Sequence, residues 1–215
     1  MILLQEISTS VQEGNSRHTG DLIVQALKDH CPAADILRDG LAAGMIEMKK
    51  RFHKNEILDS DILIAEWAMK AGLQILMPFL KKEQPSFLGT VITGTLEGDI
   101  RETEKNILAC LMQSQGLRVM DLGVSVSNAR FVEAAIEEKA EIIACNTELT
   151  VFMPQMRLLV QAVSQAEIRT KTKILFSGGP VTEWFCKSIE ADMYGPDPIR
   201  AAEIAAEYCK KIGGK

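Results

Sequence analysis

The chain has 215 residues, 47% of them apolar and only 5% aromatic, and a formal net charge of −5 at pH 7. That length can bury one large core or two small ones, and an acidic balance with scattered Lys and Arg argues against a nucleic-acid surface. With no signal-peptide pattern and no apolar run of membrane-spanning length, a cytoplasmic protein that engages neither nucleic acid nor membrane is expected.

Residues 1–82 show helical periodicity throughout and no convincing strand. A first helix carries Ile2, Leu3 and Ile7, and a second, near 19–30, places Leu22, Ile23, Ala26 and Leu27 on one side. A third opens at Pro32 and sets Ile36, Leu37, Leu41, Met45, Met48 and Phe52 at three- and four-residue steps. Asp59-Ser60-Asp61 offers caps for a fourth, which runs through Ile64, Ala68 and Leu76 to Pro78. Four such helices with short connections predict a small bundle. The polar, proline-containing run Lys81-Lys82-Glu83-Gln84-Pro85-Ser86 ends the pattern, and an interdomain linker is expected at 83–87.

From 88 to 215 strand and helix alternate. Strands are predicted at 88–95, 117–121, 141–146, 173–177 and 191–194, with helices at 102–115, 128–139, 154–166, 181–189 and 198–211. Short apolar runs such as Ile142-Ile143-Ala144-Cys145 suit strands buried on both faces. The fold class is therefore α/β: a helical bundle followed by a doubly wound parallel sheet of five strands, of flavodoxin or Rossmann-like type. Strand ends and helix starts then gather on one rim, bringing together residues 98–104, 146–150 and 178–179.

Several features carry little chemistry. The five cysteines (Cys31, Cys110, Cys145, Cys186, Cys209) are dispersed, with no Cys-x-x-Cys pair, and suit buried apolar positions better than a disulfide framework or zinc site. Gly94-x-x-x-Gly98 lacks the Gly-Lys-Ser/Thr ending of a phosphate loop. Ser177-Gly178-Gly179 is not a nucleophile elbow, and residues 87–215 contain no histidine to serve it. Met45, Met48, Met69 and Met77 suit core filling. His53 suits a helix surface. Glu97 and Asp99, beside Arg101, suit an ion network better than an acid pair.

The run Gly98-Asp99-Ile100-Arg101-Glu102-Thr103-Glu104-Lys105-Asn106 is more informative. It resembles the vitamin B12-binding loop of methyltransferase corrinoid proteins, Asp-x-His-x-x-Gly followed by Lys-Asn. Asp99, Lys105 and Asn106 fit, while Arg101 stands at the histidine place and Glu104 at the glycine place. Further segments are similar to the same family. In the bundle these are Gly40-Leu-Ala-Ala-Gly-Met45, Arg51-Phe-His-Lys-Asn-Glu-Ile57 and Ala68-Met-Lys-Ala-Gly72. Beyond it they are Gly89-Thr90-Val91, Asp121-Leu122-Gly123, Ser177-Gly178-Gly179-Pro180-Val181-Thr182 and Tyr194-Gly195-Pro196-Asp197.

The resemblance implies a helical cap on a Rossmann-like domain that holds cobalamin or a related corrinoid. It further implies a methyl carrier between a substrate-specific methyltransferase and an acceptor methyltransferase. In family members whose cofactor has a detached base, the loop histidine ligates cobalt and the aspartate orients it. A Ser-x-Leu motif then lines the nucleotide tail, and a Gly-Gly pair leaves room for it. Here Asn146 takes the serine place and Glu148 the leucine place, while Gly178 and Gly179 match. The cofactor-binding residues so implied are Gly98, Asp99, Arg101, Glu104, Asn146, Glu148, Thr150, Gly178 and Gly179, with no metal ligand and no catalytic residue. A guanidinium has no free lone pair, so Arg101 cannot bind cobalt.

Two readings of the loop stay open. Arg101 can pair with Asp99 and Glu104, joined by Glu148, and close the tail channel; or the loop stays open, with water or nothing beneath the cobalt. Two functions stay open with them: a corrinoid-binding methyl carrier, or a paralogue without cobalamin that serves as scaffold or regulator of methyltransferase partners. Trp67 is placed either over a corrin face or in packing or partner contact.

Overall fold

The structure, a computed structural model, describes residues 2–80 and 87–213. The expected linker, residues 83–87, lies outside them except for Phe87, as does the side chain of His53. The chain divides into two compact units, Met1–Glu83 and Gln84–Lys215.

The first unit is helical: α1 (Ile2–Gln12), α2 (Ser16–Lys28), the short α3 (Ala33–Asp35), α4 (Ala43–His53) and α5 (Asp59–Leu80). Asn15 caps α2 by accepting from the His18 amide at 3.1 Å. Between α3 and α4 the predicted third helix widens into a π-helical stretch, Ile36–Ala42. Gly40 lies in that stretch against α1, where a Cβ would sit 2.9 Å from Ile7 Cγ2. Ile7, Val11, Ile23, Leu37, Leu41, Met45, Met48, Met69 and Leu76 are fully buried and form the core. Phe52 and Ile64, expected inside, are exposed.

Helix α5 departs from expectation in another way. Its Ser60–Leu80 stretch is long and apolar enough to cross a membrane, so the sequence does contain a run of that length. Its spacing accounts for this: Ala65, Ala68, Met69, Leu73 and Leu76 form a buried stripe, and the helix packs along α2.

The second unit alternates β1 (Thr90–Thr93), α6 (Thr103–Ser114), β2 (Arg118–Asp121), α7 (Asn128–Glu137), β3 (Ile142–Asn146), α8 (Met153–Gln165), β4 (Lys173–Ser177), α9 (Glu183–Ser188), β5 (Met193–Gly195) and α10 (Pro198–Gly213). A 3-10 turn, Thr150–Phe152, precedes α8. The five strands are all parallel, in the order β2-β1-β3-β4-β5. Every residue of β3 is buried, as expected for the central strand of a sheet covered on both faces. Helices α6 and α10 pack together on one face, α7 and α8 on the other. Ile92, Phe131, Ile143, Met156, Leu159, Ile174 and Phe176 lie at the centre of the larger core cluster.

The cysteines are all free thiols, four of them buried. Burial raises the pKa of Cys145, pushes Cys186 up to about 11 and Cys209 up to about 12. They are protonated at neutral pH and pack as small apolar groups.

Strand order places the switch point between β1 and β3, because β1 leads to β2 on one side and pairs with β3 on the other. The loops after β1 and β3 therefore flank a crevice at the carboxyl rim, where ligands of such sheets bind.

Candidate functional site

The loop after β1 is built around Asp99, only 3% exposed. Gly98 enters it at φ +89°, a left-handed conformation that glycine adopts without strain. The Thr95 hydroxyl donates to the Asp99 carbonyl and accepts from the Ser125 amide at 2.8 Å. The Gly98 amide donates to Ser125 Oγ at 3.0 Å, which ties the loop to the one after β2.

Both oxygens of the Asp99 carboxylate are engaged. Arg101 Nε donates to Oδ1 at 3.0 Å and Nη2 to Oδ2 at 2.8 Å, a forked pair, while the Arg101 amide also donates to Oδ1 at 3.1 Å. Thr147 Oγ1 donates to Oδ2 at 3.4 Å from the far side of the crevice. The guanidinium lies over the Phe152 ring, 5.8 Å from its centroid, and Phe152 belongs to the 3-10 turn after β3. Arg101 thus spans the crevice from the β1 loop to the β3 loop. Its side chain is 37% exposed, so water screens the outer face of the pair.

Of the cluster expected around Arg101, the structure forms the Asp99 pair. Glu104 is buried in the first turn of α6, where a carboxylate suits the helix dipole. Glu148 is half-buried just past β3. Lys105, 2% exposed, reaches Asp121 at the end of β2 and donates to Asn106 Oδ1 at 2.7 Å. That clamp explains the Lys-Asn pair as support for the first turn of α6.

Across the crevice, Asn146 is buried at the end of β3 and Thr150 is exposed at the start of the 3-10 turn. Gly178 has φ +120° and packs on the Thr147 backbone: a Cβ there would lie 1.9 Å from the Thr147 carbonyl oxygen. The Thr147 amide donates to the Ser177 carbonyl at 3.2 Å, extending the β3–β4 ladder. The room that Gly178 provides is thus taken by the chain itself. Gly179, the next residue, is exposed. Ser177 Oγ is buried without a hydrogen-bond partner among the described residues. Ile100, Leu149, Val151 and Trp184 add exposed apolar surface to the loops and helix start of this rim.

Asp99, Arg101, Asn146 and Gly178, expected from the sequence around one site, lie together at one rim of the sheet. The structure adds Thr147, Phe152 and Ser177 beside them, which the sequence does not single out. Thr147 falls inside the predicted 146–150 segment, but nothing in the sequence marks Phe152 as the neighbour of Arg101, 51 positions earlier.

Two family profiles, each described as B12 binding domain, match residues 3–77 and 89–203. Trimethylamine corrinoid protein 2 of Methanosarcina mazei is 31% identical over 98% of this chain and 97% of its own length. A corrinoid protein of Desulfitobacterium hafniense is 30% identical over 100% of this chain and 99% of its own. The solved monomethylamine corrinoid protein of Methanosarcina barkeri superposes with a TM-score of 0.80 at 28% identity, covering 94% of this chain and 96% of that one.

Proposed function

The chain belongs to the B12-binding family of corrinoid proteins, and from that premise we propose that it is a methyl carrier that holds cobalamin or a related corrinoid for partner methyltransferases. One partner is substrate-specific and loads the carrier; the other is an acceptor methyltransferase that unloads it. A bound corrinoid supplies a cobalt centre able to take up a methyl group and pass it on.

The observation that carries this reading is the buried, unpartnered hydroxyl of Ser177 at the β3–β4 end of the rim. A buried polar atom without a partner is uncommon and points to a missing ligand or water. Asn146, buried beside it in strand register, offers an amide donor and acceptor. Ile100, Leu149, Val151 and Trp184 offer apolar surface for a large flat ligand. Gly98, Asp99 and Arg101 form the floor under it. The rim offers these polar and apolar groups to a macrocycle but supplies no imidazole, because residues 87–215 contain no histidine.

The forked Asp99–Arg101 pair and the Thr147 backbone at Gly178 favour the second reading, a scaffold or regulator that has given up the cofactor. Equilibrium dialysis of the purified protein against hydroxocobalamin separates the two. Carrier function requires stoichiometric corrin absorbance to stay with the protein after exhaustive removal of free ligand. A colourless protein ends the carrier reading and leaves the second one standing.

A further inference from the structure

We draw no further inference here: the strongest candidate, the exposed apolar patch of Leu63, Ile64 and Trp67 on the first turns of α5, is an unpartnered helix face, and nothing in the structure shows what covers it.

Discussion

Gly178→Ala lowers the stability of the second unit by about 2–6 kcal/mol, the sum of backbone strain and overpacking. The residue sits at φ +120°, where a side chain is strained whatever the space around it. The added methyl would also collide with the Thr147 carbonyl oxygen at 1.9 Å, a backbone atom that no rotamer change can move. Relief requires withdrawing Thr147, and with it the Thr147–Ser177 and Thr147–Asp99 hydrogen bonds. The loss is measured as a shift in the denaturant midpoint, followed by far-ultraviolet circular dichroism. A loss below about 0.5 kcal/mol, the size of an ordinary surface change, would mean that the Thr147 backbone gives way easily.

Phe176→Ala costs about 3–5 kcal/mol, the range for emptying a buried aromatic site. Phe176 is fully buried in β4, in register with Cys145 of β3 and Tyr194 of β5. It belongs to the cluster that joins both neighbouring strands to α8 through Met156 and Leu159. A cavity there removes contacts from three strands and a helix at once, and the rim stands directly above it, since Ser177 and Gly178 follow in sequence. Trp184→Ala is the contrast, because its ring is 78% exposed and its removal changes stability by only about 0.5 kcal/mol. Each is followed by urea titration of the intact chain. Equal effects for the two would contradict the burial pattern.

The sheet unit was legible because its signals are local. Ile142-Ile143-Ala144-Cys145 reads as a strand buried on both faces, and it is one; the caps Ser127 and Thr182, which accept from the amides of Arg130 and Phe185, are not singled out in the sequence. The strand predicted at 88–95 is shorter, Thr90–Thr93, because Leu88 and Gly89 precede the ladder and Gly94 follows its end. In the bundle, apolar residues at helical spacing named most of the core. The same periodicity placed Phe52 and Ile64 inside, since spacing says which residues share a face and not how wide the covered stripe is. The π-helical stretch Ile36–Ala42 left no mark either, because a change in hydrogen-bond register keeps the same residue types.

The site divides along the same line. Asp99 and Arg101 are two residues apart, so their pairing could be read from the sequence. Thr147 against Gly178, and Phe152 beneath Arg101, depend on how β1, β3 and β4 are laid side by side. The chain order of strands does not state that arrangement; the parallel register does. The unpartnered Ser177 hydroxyl is a property of three-dimensional packing alone.

The central claim is that the carboxyl rim of the parallel sheet is the corrinoid seat. Amide chemical shifts of the 15N-labelled full chain, recorded with and without saturating hydroxocobalamin, test it most directly. The account expects the large changes at residues 98–102, 147–152 and 178–184, with the opposite rim around Gly89, Glu141 and Thr172 undisturbed. Changes centred on that opposite rim, or no changes anywhere at saturation, would contradict it.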